Sequence, residues 1–216
     1  MLITLLDLIC PRRCVGCGAL GDALCEPCAR PLQAPARLRR PTPCPPGLPV
    51  VFGVAEHHGA VRAALVAHKD RGRTDLTPML AQALARAVAA LRSGPVTLVP
   101  VPSSRHASRA RGYDHALRLA RGAAAALPHG EVAPVLVRVR RTTDQVGLGA
   151  AARAANTAGA FAVLGDGRRW CHPVILVDDL MTTGSTLAEA ARALTEAGVR
   201  PHGAAVVASR RKLSRR

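Results

Sequence analysis

The chain has 216 residues, 49% of them apolar, which is enough core for one α/β domain with a small appendage. The formal net charge of +16 points to polyanionic partners such as phosphates or nucleic acid, yet all but two of the thirty basic residues are arginine, which a GC-rich coding bias would equally produce. Aromatic residues at 2% argue against a single-strand binder built on base stacking, and no segment reaches the ~18 apolar residues of a membrane span.

Taken in order, Met1 to Ile9 is apolar but lacks a basic leader and a small-residue cleavage site, and Asp7 interrupts it. Leu2, Leu5, Leu6 and Ile9 share helical spacing, so this stretch reads as a short docking helix in a cytoplasmic protein. Two CxxC pairs follow, Cys14/Cys17 and Cys25/Cys28, separated by seven residues. Each pair places two thiolates on one tight turn, and four thiolates complete a tetrahedral site for structural Zn2+ in a segment too short for its own core. Disulfides and a redox CxxC are the competing readings; a cytosolic chain disfavours the first and the second needs a thioredoxin-like setting. Cys10 stands four residues before Cys14 and is able to replace one of the four, while Cys44 and Cys171 read as free thiols.

Residues 29 to 49 carry Pro31, Pro35, Pro41, Pro43, Pro45, Pro46 and Pro49, which leave little room for helix or sheet. Arg37, Arg39 and Arg40 are expected on its solvated surface. Val50 to Glu56 reads as a strand and Ala60 to Ala67 as a helix running into His68-Lys-Asp-Arg-Gly-Arg73. Lys69, one of only two lysines, is either a compact point charge for a pyrophosphate or a chance surface residue. Asp75 is the expected N-cap of an alanine-rich helix to Leu91.

Thr97 to Val101 is the next buried strand. Ser103, Ser104, Arg105, Arg109 and Arg111 crowd the loop after it, where open α/β sheets bind ligands, and such amides, hydroxyls and guanidinium groups suit a diphosphate. A basic surface loop is the alternative. Tyr113 to Leu127 reads as a helix with Leu117, Ala120 and Ala124 on its inner face, and Pro134 to Val139 as a strand. Arg141 to Gly159, with Gln145, Gly147, Gly149, Arg153 and Asn156, fits either a mobile lid or a loop with one helical turn from Ala150 to Ala155. Phe161 to Leu164 is a short strand, Gly165-Asp-Gly167 a turn, Gly203 to Ala208 the last strand, and the tail to Arg216 is basic.

The most informative stretch is Pro173-Val-Ile-Leu-Val-Asp-Asp-Leu-Met-Thr-Thr-Gly-Ser-Thr186. Val174 to Val177 reads as a buried parallel strand ending in Asp178 and Asp179. The turn Leu180 to Gly184 leads into a helix whose Leu187, Ala190, Ala191 and Leu194 form one apolar stripe. Backbone N–H groups, the positive helix end and the hydroxyls of Thr182, Thr183, Ser185 and Thr186 make a monophosphate cradle, with Gly184 permitting close approach. It lacks the spacing of a P-loop or a dinucleotide site. The two acids accept hydrogen bonds from a diol, and a phosphate beside a diol describes ribose-5-phosphate.

The run VILVDDLMTTGST resembles the ribose-phosphate motif of type I phosphoribosyltransferases. Together with the four-cysteine knuckle and the strings HKDRGR, VPVPSSRHASRARGYDHALRLA and RTTDQVGLGAAARAANTAGAF, it makes nearly the whole chain similar to the ComF family, which is associated with DNA uptake in competence. The resemblance implies an α/β, doubly wound, mostly parallel sheet of phosphoribosyltransferase type with a small zinc-binding module. The expected division is 1–30 for the N-terminal helix and knuckle, 31–49 for the linker, 50–209 for the phosphoribosyltransferase-like domain and 210–216 for the tail. By motif, Asp178 and Asp179 would hold the ribose hydroxyls, Thr182, Thr183, Gly184, Ser185 and Thr186 the 5-phosphate, and Ser103, Ser104 and Arg105 the pyrophosphate. Gln145, Arg153 and Asn156 match a second family string without a derivable role. Where many members carry a glycine, aromatic, asparagine, glutamine run, this chain reads Gly112-Tyr-Asp-His115, an acid and an imidazole in place of two amides.

Three functions share this ligand site. The first is a transferase using 5-phosphoribosyl-1-pyrophosphate (PRPP) and Mg2+, in which Asp178, Asp179, Arg105 and Lys69 act on the reacting groups and Arg153 is a further candidate. The second is a non-catalytic DNA-uptake adaptor for single-stranded DNA or a helicase-like partner. The third is a sensor that binds PRPP or a nucleotide without turnover.

Overall fold

The computed structural model describes residues 12–103, 112–140, 157–165 and 170–210. Eight strands are present among them: β1 (Arg37–Leu38), β2 (Val51–Glu56), β3 (Val96–Pro100), β4 (Gly130–Val132), β5 (Leu136–Arg138), β6 (Phe161–Val163), β7 (Val174–Met181) and β8 (Gly203–Ser209). The helices are α1 (Glu26–Ala29), α2 (Gly59–Asp70), α3 (Thr77–Leu91), α4 (His115–Ala125) and α5 (Ser185–Glu196). Six strands form one sheet in the order β1-β2-β8-β7-β3-β4, in which only the β1–β2 pairing is antiparallel.

Both faces of this sheet are covered, which is why its strands are apolar throughout rather than alternating. Leu98, Ile175, Val177, Ala205 and Val207 join one buried cluster with α2, α3 and α4. Val99, Val174, Leu176, Ala204 and Val206 join a second with α5 and the β5–β6 ribbon. Successive residues of β7 thus enter opposite cores. The cysteine segment adds Cys14, Leu24, Ala29 and Leu32 to the first cluster, and Arg86 of α3 donates to the Leu32 carbonyl at 3.0 Å.

Several expectations hold and several need correcting. The apolar stripe of α5 is buried as read. β7 does not end at Val177; it continues to Met181, so the two acids lie within the strand and the turn shortens to residues 182–184. α2 extends to Asp70, placing Lys69 in its last turn. Asp75 does not cap α3, which starts at Thr77 after a 3-10 turn; its carboxylate is taken by Arg73 at 2.8 Å instead. α4 begins only after Asp114, and its buried face is Ala116, Leu119, Ala120, Ala123 and Ala124, leaving Leu117 half-buried. Residues 136–138 leave the main sheet and pair antiparallel with β6. In the proline-rich segment, Arg37 and Leu38 add an edge strand to β2, and Arg39 is not a solvated group: it donates to the carbonyls of Gly53 at 3.1 Å and Val54 at 2.9 Å.

Candidate functional site

After β3 the chain moves through α4 to β4 at one edge, whereas after β7 it moves through α5 to β8 on the other side. The two connections diverge, so a crevice opens between the carboxyl ends of β3 and β7, the switch point where open α/β sheets take ligands. Ser103 stands just beyond β3, and Asp178 and Asp179 lie in the last half of β7.

The start of α4 ties these two strand ends together. Asp114 is its N-cap, with one carboxylate oxygen accepting from the N–H groups of Ala116 at 2.9 Å and Leu117 at 3.2 Å. Its other oxygen accepts from the Ser103 N–H at 3.1 Å. His115, only 3% exposed, then bridges the crevice: Nδ1 lies 2.8 Å from Ser103 Oγ and Nε2 lies 3.4 Å from Asp179 Oδ2. A carboxylate only accepts, so Nε2 carries the proton facing Asp179, while the Ser103 hydroxyl, able both to donate and to accept, pairs with Nδ1. Behind it, Tyr113 donates its hydroxyl to the His68 carbonyl, and the His68 ring lies 3.0 Å from Thr77 Oγ1.

The paired acids are not equivalent. Burial and the neighbouring Asp179 charge raise Asp178 well above the usual carboxylate range, against the pull of Lys69. Burial acts on Asp179 in the same sense, but the His115 hydrogen bond and the Lys69 charge outweigh it and hold this carboxyl low. The Asp179 N–H also donates to Asp178 Oδ1 at 2.8 Å. Lys69 is therefore brought to the carboxylates from the end of α2. Asp179 is thus the more readily ionised of the two and Asp178 the less.

Thr182, Thr183, Gly184, Ser185 and Thr186 connect β7 to α5. Gly184 has φ +79°, a left-handed conformation, and has no side chain to cap the helix behind it. A Cβ there would stand 3.0 Å from Leu48 and 3.3 Å from Pro41, so the proline-rich segment packs against this loop. The Thr183 and Ser185 hydroxyls lie 3.0 Å apart, side by side at the helix N-terminus. Such an end presents N–H groups and a positive dipole to an anion.

The second cluster is Cys14, Cys17, Cys25 and Cys28, whose sulfurs all lie within 4.8 Å of one another. Sulfurs held ~2.3 Å from one tetrahedral ion stand ~3.8 Å apart, and the Cys17–Cys25 pair stands at 3.5 Å. The N–H groups of Gly16 and Cys25 both point at Cys14 Sγ at 3.4 Å. Burial pushes the Cys14 thiol up, but these backbone donors bring it down to about 6, while hydrogen bonding to Cys25 and burial push Cys28 up to about 12. One thiolate forms readily and then opposes the next, so a cation suits this donor set. Cys44 and Cys171 are exposed and stand outside the cluster.

Among the predicted site residues, the crevice brings Ser103, Asp178, Asp179 and Lys69 together, and the hydroxyl loop adjoins β7. Ser104, Arg105, Arg109, Arg111, Cys10, Gln145, Gly147, Gly149, Arg153 and Asn156 lie outside the described residues, as do Met1 to Ile9 and the tail from residue 211. Sequence reasoning assigned no contact to Asp114 and His115; their only signal was the departure from two amides.

Residues 113–216 match the phosphoribosyl transferase domain family. Over 106 residues the chain is 34% identical to Competence protein F of Haemophilus influenzae, covering 49% of this chain and 46% of that protein. The chain thus spans less than half the length of the curated relative it matches. The matched domain takes in α4, β7, the hydroxyl loop, α5 and β8 of a mixed α/β, mostly parallel sheet.

Proposed function

We propose that the chain, with its phosphoribosyl transferase domain, its likeness to a competence protein and its four-cysteine cluster, is a ComF-type protein whose crevice binds PRPP and transfers the phosphoribosyl group to an acceptor nucleophile. The observation that carries this reading is the convergence of Ser103, Lys69, Asp178 and Asp179 at the β3–β7 switch point beside the hydroxyl loop. Asp178 and Asp179 accept from the ribose hydroxyls, and Thr182, Thr183, Gly184, Ser185 and Thr186 receive the 5-phosphate at the start of α5. Ser103, Ser104, Arg105 and Lys69 take the pyrophosphate. In the transfer, the bond from ribose C1 to the pyrophosphate oxygen breaks, pyrophosphate leaves with the electron pair, and the acceptor bonds to C1. Lys69 and Arg105 offset the charge that develops on the leaving group. Carboxylate oxygens are the hard donors Mg2+ prefers, so the ion would be held on the Asp178/Asp179 side and supply further neutralisation of the diphosphate. The four-cysteine cluster supports structural Zn2+ and, as a set of reduced thiols, a cytoplasmic protein, and the likeness to a competence protein supports a role in DNA uptake.

The test is calorimetric titration of zinc-loaded protein with PRPP and Mg2+, paired with an assay of pyrophosphate release. Asp178→Asn combined with Asp179→Asn is expected to weaken PRPP binding by about 100-fold or more, since each lost charged acceptor removes ~1.5–3 kcal/mol. Unchanged binding by that variant would refute the reading. The net charge of +16 favours a second reading, a non-catalytic adaptor in which the crevice senses PRPP or a nucleotide while the basic surface holds single-stranded DNA or a helicase-like partner. Saturable PRPP binding without turnover, together with DNA affinity that falls steeply with salt, would select it.

A further inference from the structure

We propose that His115, Asp178 and Asp179 form a protein-held site for a first-row divalent transition ion, of the manganese–iron class, that binds before any phosphate ligand arrives. This goes beyond the PRPP reading, because the ligands are protein groups alone and the ion needs no substrate oxygen to be retained.

One ligand atom from each of the three residues falls in a set lying within 4.8 Å of one another. The His115 Nε2 to Asp179 Oδ2 separation of 3.4 Å is already that of two donors sharing one ion, since ligand atoms ~2.1 Å from a metal stand ~3–4 Å apart. His115 and Asp179 are buried and their backbone positions are fixed by α4 and β7, so only the half-buried Asp178 carboxylate has to adjust.

The surroundings have the form of an outer shell. A metal-bound imidazole places its other ring nitrogen on a hydrogen-bonding partner, which fixes the ring and its tautomer. Ser103 Oγ occupies that position, 2.8 Å from Nδ1. Because a hydroxyl both donates and accepts, Ser103 serves either tautomer: it donates to Nδ1 while Nε2–H faces Asp179, and it accepts from Nδ1–H once Nε2 turns to the ion. Asp178 is ordered in turn by the Asp179 N–H at 2.8 Å.

The donor types set the ion. Two carboxylates alone suit Mg2+, whereas an imidazole beside them favours a first-row transition ion. In a chain where this position carries an amide, that preference is absent. His115 thereby becomes a specificity-determining ligand, and the chain's departure from the two-amide run has a chemical consequence.

The experiment uses full-length, zinc-loaded protein and Mn2+ alone, without PRPP. Free Mn2+ is counted by electron paramagnetic resonance, and spin-echo modulation reads whether a nitrogen is bonded directly to the ion. One Mn2+ per chain with a coordinated nitrogen is expected, displaced by Mg2+ only at about tenfold excess or more. His115→Gln keeps a group able to bond both Ser103 and Asp179, and is expected to lose the nitrogen signal and to weaken Mn2+ binding at least about tenfold. Ser103→Ala is expected to weaken binding by about 10- to 100-fold while keeping the nitrogen signal. Mn2+ bound by the wild type with no coordinated nitrogen overturns the proposal without reference to any variant's folding, as does equal Mn2+ affinity in His115→Gln. PRPP titrations separate the two readings. PRPP and Mg2+ binding with no nitrogen-coordinated Mn2+ defeats the metal site alone, and nitrogen-coordinated Mn2+ without PRPP binding defeats the PRPP reading alone.

Discussion

The cysteine cluster and the carboxylate cluster are assembled in opposite ways. The first is drawn from residues 14–28, a local stretch in which the Gly16 and Cys25 N–H groups point at Cys14 Sγ. The second gathers Lys69, Ser103, His115, Asp178 and Asp179 from four elements, α2, the end of β3, α4 and β7, which the sheet positions. A local cluster of thiolates repels itself, and a cation offsets that repulsion. A dispersed cluster is preformed by the core beneath it, and its ligand arrives at groups already in place.

That contrast is sharpest under chelation. Removing the ion from the cysteine cluster, or substituting Cys14→Ser, is expected to lower the melting temperature by about 10 °C, corresponding to ~3–5 kcal/mol in a chain of this size. Calorimetry with and without chelator measures it. An unchanged melting temperature would mean that Leu24, Ala29 and Leu32, packed into the main core, hold the segment without metal.

A smaller effect separates the two regions by pH. His68 lies on α2, and burial, aided by the nearby His115, lowers its pKa to about 4. The folded state therefore binds fewer protons than the unfolded chain between about 4 and the ordinary value of ~6.5. The stability it contributes is complete above ~6.5 and falls as pH drops through that window, by on the order of 3 kcal/mol. Urea unfolding at several pH values is expected to show this slope, and His68→Gln to flatten it. A slope unaltered by His68→Gln would assign the acid sensitivity to the carboxylate cluster instead.

The smallest expected effect is Asp75→Asn. Its bond with Arg73 is short, but both side chains are about one-third exposed, so the loss is expected below ~1 kcal/mol in thermal unfolding. A larger loss would show that this turn braces α2 and Lys69 more firmly than a surface pair does.

The same contrast decides what was legible in the sequence. The cysteine pairs and the run from Val174 to Thr186 each declare themselves by spacing, and the structure places them as contiguous units. The His115–Asp179 contact spans two crossovers, and no local pattern encodes it. β4 escaped because Gly130-Glu-Val132 has no apolar period; its pairing with Val96 to Leu98 makes it a strand. On the inner face of α4, Ala120 and Ala124 are buried as expected, but Leu117 is half-buried because the packed stripe is completed by Ala116, Leu119 and Ala123, which the alanine-rich sequence does not single out. β7 outran its apolar residues because β8 pairs with it as far as Met181, and ladder bonds carry the acids within the strand.

Leu48 and Pro41 lying against Gly184 give the proline-rich segment a part in shaping the anion loop. A chain cut just before Val51 would keep every predicted ligand of the crevice yet lose this packing. It would also strip Arg37 and Leu38 from the sheet, leaving the β2 backbone unpaired along that side and the Gly53 and Val54 carbonyls without the Arg39 guanidinium. Such an exposed edge invites pairing with a second chain. The N-terminal quarter is thus also an edge guard, and a shortened protein is expected to be limited first by self-association rather than by its chemistry.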